Sequence, residues 1–257
     1  MTDHVLCTRH EGYAHVALNR PRANAIGAEM VDGLLATLTE LEGDNSIRCV
    51  ILTGAPGMFS AGLDVPQLIE FDRAQMTSFW RAFNKLCYRL YTSDLMIVSA
   101  ISGHSPAGGC VLAIMTDYRV MVEGRYKIGL NEVAVGIPIP GGITDIYASL
   151  LGASAAQDLG CRGAMVSPDE ALALGLVDQL APADDLMTAA SAKVADWLAC
   201  DRRAQVTTKR LFRRRLAQTL EATAERDQEA FLDLWFSDSA QTTLKALVAR
   251  LSDRQPR

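Results

Sequence analysis

The spacing of apolar residues changes period several times along the chain. Val5–Arg9 and Tyr13–Leu18 flank Glu11-Gly12, which predicts two strands joined by a hairpin turn. Met30, Leu34, Leu38 and Leu41 recur at helical spacing, so Glu29–Leu41 is predicted as an amphipathic helix. Cys49–Leu52 is continuously apolar and ends in T-G-A-P-G; Met96–Ile101 has the same character. Strands of that kind belong to a sheet covered on both faces. A helix from about Met76 to Tyr91 separates them. Beyond them the pattern predicts a helix at Gly108–Met115 and a strand at Tyr118–Val122. Short helices follow from Thr144 to about Ala173, then a last short strand at Leu176–Leu180.

Strands alternating with helices predict an α/β fold. From Asp185 on the pattern is almost wholly helical, over about 185–200, 203–216, 218–236 and 239–251, and the composition shifts to Ala, Arg and Leu. A boundary near 195–200 divides a core, 1–197, from a C-terminal helical region, 198–257.

Composition narrows the function classes. Hydrophobic residues are 49% and charged residues 21% of the 257 positions, the balance of a soluble globular protein. A net charge of −5 argues against a nucleic-acid partner, which requires a basic face. Cys7, Cys49, Cys87, Cys110, Cys161 and Cys200 form no C-x-x-C pair and sit in apolar or helical contexts. They are expected to be buried thiols in a reducing compartment. The four histidines, His4, His10, His15 and His104, have no zinc-site spacing, so no metal is expected. M-T-D-H-V-L-C-T enters a strand pattern without a targeting signature, and no apolar run is long enough to span a membrane. Together these predict a cytoplasmic protein with no membrane partner.

Residues 102–109 read S-G-H-S-P-A-G-G, close to the turn that exposes a hydrolase serine. That chemistry needs a histidine after the serine, and none follows His104; Ala107 also replaces the motif's last glycine. Ser105 is therefore expected to be a small residue in a tight turn. The backbone is the other candidate. P-A-G-G lies between a strand and a helix, where free N–H groups can hold a carbonyl oxygen that becomes an oxyanion; tight packing would use the same glycines. F-S-A-G-L-D (59–64) makes a second such turn, with Asp64 as cap of a helix from Val65. Two turns after neighbouring strands can face each other and share one oxygen.

In Y-K-I-G-L-N-E, Glu132 lies among Ile128, Leu130, Val133, Ala134 and Val135. Apolar surroundings raise a carboxyl's pKa and make it a base near neutrality; a solvated loop glutamate is the alternative. G-I-P-I-P-G-G then makes a rigid turn into a helix. The run Lys209–Arg215 is read as a solvated helix face that can also meet a phosphate.

F-S-A-G-L-D, S-G-H-S-P-A-G-G-C-V-L-A-I-M-T-D-Y-R-V-M, Y-K-I-G-L-N-E and A-L-A-L-G-L-V-D-Q-L together resemble the crotonase (enoyl-CoA hydratase/isomerase) superfamily over nearly the whole chain. P-A-G-G-C, I-G-L-N-E and the tail F-S-D-S-A-Q-T-T-L-K-A-L are similar to its mitochondrial-type Δ3,Δ2-enoyl-CoA isomerases. The resemblance implies a crotonase-like ββα spiral core, a helical C-terminal trimerisation region and a homotrimer or hexamer. It also implies an acyl-CoA thioester substrate and fatty-acid β-oxidation. It puts the oxyanion hole on the N–H groups of Leu63 and Gly108. It lays Ser60, Ala61, Gly62, Leu63, Asp64 and Ala107 along the CoA moiety and thioester. Glu132 becomes the base, with Asn131 orienting it.

One departure is informative. Superfamily hydratases carry a second glutamate where this chain has Val111. Water addition uses two carboxylates, whereas moving a double bond needs one base. The expected reaction is therefore 3-enoyl-CoA to 2-trans-enoyl-CoA, with no cofactor beyond the CoA of the substrate. A hydratase, another crotonase-type reaction and a non-catalytic acyl-CoA-binding protein are the alternatives. Arg22 and the 209–215 run are candidates for the CoA phosphates.

Overall fold

The computed structural model describes residues 4–21 and 23–253, so Arg22 lies outside the described residues. β1 (Val5–Arg9) and β2 (Tyr13–Leu18) form the antiparallel hairpin, and α1 (Ala28–Glu42) follows. A unit then repeats three times: a long strand, a short strand, then helix. The first is β3 (Cys49–Thr53), β4 (Gly57–Met58), α2 (Val65–Leu68) and α3 (Arg73–Thr92). The second is β5 (Met96–Ile101), β6 (Gly103–Pro106) and α4 (Gly108–Ile114). The third is β7 (Tyr118–Val122), β8 (Ile128–Gly129), a 3-10 turn at Glu132–Val135 and α5 (Gly141–Leu151). The chain continues through α6 (Ala153–Arg162), α7 (Pro168–Ala173), β9 (Gln179–Ala181) and α8 (Leu186–Leu198). It ends with α9 (Arg202–Arg226), α10 (Gln228–Trp235) and α11 (Asp238–Asp253).

The long strands build one sheet in the order β1-β2-β3-β5-β7-β9, parallel from β2 onward. The short strands build a second, β4-β6-β8, also parallel. Both sheets advance one strand per repeat, which makes the structure the expected ββα spiral. Both faces of the large sheet are covered, as its apolar strands require. Val50, Leu52, Ile97 and Met121 enter the main core, while Cys49, Ile51, Val98 and Val120 meet Leu186, Ala190 and Val194 of α8. Leu220, Phe231, Leu232, Trp235 and Leu244 from α9–α11 belong to the main core as well.

Several elements differ from the expected ones. The last strand is Gln179–Ala181, and the break expected near 217 falls at Asp227, between α9 and α10. Asp227 there accepts a hydrogen bond from Gly141 N–H at 3.3 Å. Cys7, Cys161 and Cys200 are exposed, not buried; Cys7 lies on the edge strand β1, whose residues are mostly exposed. The basic run is not simply a solvated face. Lys209 is buried and pairs with Asp117 at 2.7 Å, and Arg213 donates to the carbonyls of Tyr91 and Thr116, each at 2.7 Å. These cations anchor α9 on the core. Among the described residues, no helix is long and apolar enough to cross a membrane.

Candidate active site

The three stretches singled out by chemistry each leave the C-terminal end of a strand of the small sheet. Phe59–Asp64 follows β4, Ala107–Gly109 follows β6, and Leu130–Glu132 follows β8. Strand pairing therefore fixes their relative positions. The pairs Met58↔His104 and Pro106↔Gly129 set the register, and Ala107 N–H donates to Gly129 C=O at 2.8 Å.

The first two turns touch. A β-carbon at Gly62 would lie 3.1 Å from Gly108 N, and one at Gly108 would lie 3.3 Å from Leu63 N. Glycine at both positions leaves the space between the two N–H groups open. Neither Leu63 N–H nor Gly108 N–H donates a hydrogen bond to any described residue. Gly108 opens α4, so its N–H is free by helix geometry. Ala107 sets its direction, with φ +45° and ψ −121°. A non-glycine residue in this region carries strain of about 1–3 kcal/mol. Packing against Gly129 and Gly62 holds it there.

A brace supports the first turn. Ser60 Oγ donates to Asn24 C=O at 2.7 Å, Asn24 Nδ2 donates to Phe59 C=O at 3.1 Å, and Ile26 N–H donates to Gly62 C=O at 2.8 Å. Asp64 caps α2 through Gln67 N–H, as expected, and is also ion-paired to Arg20. Ser105 sits fully buried in β6, in a strand and not in a tight turn, with no access to a substrate.

A cleft of about 1210 Å³ joins these pieces. Of the expected residues, Ala61, Leu63, Asp64, Ala107, Gly108, Asn131 and Glu132 line it, and so does Val111. Ser60 and Gly62 do not; they lie behind the wall and shape it. Arg20, Ala23 and Ala25 also line the cleft, and no pattern in the sequence had marked them. The same holds for the apolar side chains Trp80, Phe83, Phe231, Trp235, Leu247 and Leu251. The helical patterns over 76–91 and in the C-terminal region carry this apolar group but did not show that it faces a cleft.

Glu132 is 7% exposed, so the solvated-loop alternative fails. Burial pushes its carboxyl up to about 7, and Oε2 has no hydrogen-bond partner. Asn131 Oδ1 is likewise buried and unpartnered, and its side chain makes no hydrogen bond to Glu132. Among the described residues, Glu132 is the one acidic side chain in the cleft wall without a cationic partner, since Asp64 is held by Arg20. Lys209 and Arg213 are committed to the core, so the basic run offers no phosphate site through them.

Known proteins resemble this chain over nearly its whole length. The sequence model of the enoyl-CoA hydratase/isomerase family matches residues 8–255. Mouse and human mitochondrial enoyl-CoA delta isomerase 1 are 37% and 36% identical over 246 residues, covering 95% of this chain and 85% and 82% of theirs. A putative enoyl-CoA hydratase of Thermus thermophilus is 37% identical over 173 residues, 66% of this chain and 68% of its own. The crystal structure of human mitochondrial delta3-delta2-enoyl-CoA isomerase superposes with a TM-score of 0.95 at 35% identity, over 99% of this chain and 100% of the other.

Proposed function

The chain belongs to the enoyl-CoA hydratase/isomerase family and is an enzyme of it, and we propose that it is a Δ3,Δ2-enoyl-CoA isomerase acting in fatty-acid β-oxidation. One observation carries the reading. A single buried, unpaired carboxylate, Glu132, shares a cleft with two free backbone N–H groups and with Val111, the position at which the resemblance implies a second glutamate in hydratases.

In the reaction the thioester carbonyl of a 3-enoyl-CoA accepts hydrogen bonds from Leu63 N–H and Gly108 N–H. Glu132 takes a proton from C2, which the carbonyl acidifies. The electron pair moves onto the carbonyl oxygen, giving a dienolate. Each donor lowers that state by about 3 kcal/mol. Glu132 then returns the proton to C4, the C3–C4 double bond moves to C2–C3, and the base is regenerated. The thioester is the electron sink, so this scheme uses no further cofactor. A carboxyl near 7 suits both half-reactions, because it gains and loses a proton with little bias at neutral pH.

Phe212 and Leu211 on α9 are 84% and 60% exposed, which supports assembly through the helical region as a homotrimer or hexamer. The test of function uses a 3-enoyl-CoA and follows the ultraviolet absorbance of the conjugated product. Absorbance should rise with the native protein and stay flat with Glu132→Gln, while the variant still binds acyl-CoA. Hydration of a 2-enoyl-CoA without isomerisation would move the protein to the hydratases.

A further inference from the structure

The last helix does two things at once. Its first turn abuts the turn that carries Glu132. A β-carbon on Gly136 would lie 3.2 Å from Ala240 Cα, and Ala240 is 1% exposed. Gly136 closes the 3-10 turn that Glu132 opens, with φ +81°; Gly136 N–H donates to Val133 C=O at 3.2 Å and Ile137 N–H to Glu132 C=O at 3.3 Å. Further along α11, Leu247 and Leu251 line the same cleft as Glu132. Ala240, Leu244, Leu247 and Leu251 fall on one stripe of the helix, spanning about 16 Å.

The same helix is the least anchored of the C-terminal three. α9 is bolted by Lys209–Asp117 and by Arg213. α10 is tied by Arg73 to Glu229 and Asp233, at 2.8 and 2.6 Å. Among the described residues, α11 makes no ion pair. Its side-chain hydrogen bonds outside itself are confined to the connecting turn: Gln241 Nε2 donates to Trp235 C=O at 2.9 Å, and Ala240 N–H to Ser237 Oγ at 3.2 Å. Apolar packing alone holds the rest, and a substrate tail can extend that packing.

We infer that α11 couples acyl length to the base. A tail long enough to lie against Leu247 and Leu251 seats α11, and Ala240 then holds the Glu132 turn in its reactive position. Ala240 is a positioning residue, and Leu247 and Leu251 are specificity-determining. The inference rests on the isomerase reading above. Its consequence is particular: binding energy from a non-reacting tail raises kcat and does not merely lower KM.

The experiment measures kcat and KM for four-carbon, eight-carbon and twelve-carbon 3-enoyl-CoA substrates. It compares the native protein with Leu251→Ala, Leu247→Ala and a distant control, Leu172→Ala. Leu251 and Leu172 are 44% and 42% exposed, so both truncations leave the core filled. In the native protein and the control, kcat should rise about threefold or more with tail length; in the two α11 variants that ratio should collapse toward one. A native kcat independent of tail length overturns the inference. So do α11 variants that change KM alone. Failure of the native protein to turn over any of the substrates is a different result: it strikes the isomerase reading itself.

Discussion

Replacing Glu132 with glutamine removes a buried titration while keeping the side chain's shape, and stability against pH then reports the burial. In the unfolded chain the carboxyl has its ordinary value of 4.5; in the folded protein burial pushes it up to about 7. Between those values the folded state holds a proton that the unfolded chain has released. Stability of the native protein therefore falls as pH rises through this window. The gap between the two values amounts to roughly 3 kcal/mol of folding free energy withheld above pH 7. Glu132→Gln carries no such loss. Its stability relative to the native protein should be level below pH 4.5, climb by roughly 3 kcal/mol up to about pH 7, and be level again above it. A buried amide adds a constant offset that moves both plateaus equally. The assay is urea unfolding followed by tryptophan fluorescence, for both proteins at one concentration. A difference that does not change with pH would show that Glu132 titrates as a solvated group, and the argument for a neutral-pH base would go with it.

Other consequences follow from the same geometry. The acid limb of kcat/KM should bend near pH 7, because Glu132 must be ionised to act; a limb near 4.5 would contradict its burial. Gly108→Ala puts a β-carbon 3.3 Å from Leu63 N, where the substrate oxygen belongs. It should lower kcat by about a hundredfold or more with an unchanged circular dichroism spectrum; near-native turnover would refute the shared oxyanion site. Val111→Glu should add measurable hydration of a 2-enoyl-CoA, read as loss of its absorbance, and a folded variant without it would show that Val111 does not decide the reaction. Lys209→Met strips a buried cation from Asp117 and should cost about 3 kcal/mol in urea unfolding while leaving KM unaltered.

Most of the large sheet was legible because β3, β5 and β7 are strongly apolar and β1 and β2 flank a hairpin turn; the three-residue β9 was not placed correctly. The small sheet was not, and it is the element that assembles the site. β4 and β8 have two residues each, and glycine occupies both pairs. Such glycines read as turn punctuation, yet close approach needs two of this sheet's: a β-carbon on Gly103 of β6 would lie 2.0 Å from Gly57 C, and one on Gly129 of β8 2.7 Å from Ala164 O. No hydrophobic period marks a strand selected for lack of side chains. The two backbone turns and Glu132 were legible as separate pieces, because glycine after a strand and a carboxylate among apolar neighbours are local signals. What brings them together is pairing between residues some forty and twenty positions apart. Lys209 and Arg213 escaped for the opposite reason. Charge at helical spacing signals a wet face, and only the tertiary fold shows that Asp117 and the carbonyls of Tyr91 and Thr116 await them.

Four of the local costs in this fold fall in or beside the cleft. Among the described residues, Asn24 and Ala107 are the two non-glycine positions with positive φ. One braces the Phe59–Asp64 turn; the other aims the Gly108 N–H. Glu132 Oε2 and Asn131 Oδ1 are buried without partners beside them. Each is unfavourable alone, by strain or by desolvation. Ala107, Asn131 and Glu132 line one cleft, and the occupant of that cleft meets them together. A carbonyl oxygen satisfies the two free N–H groups, and an acidic C–H beside it gives Glu132 its proton. Under the proposed reaction, a site organised this way is destabilising when empty and complementary to a thioester enolate when filled, which is the relation between enzyme and transition state that catalysis requires.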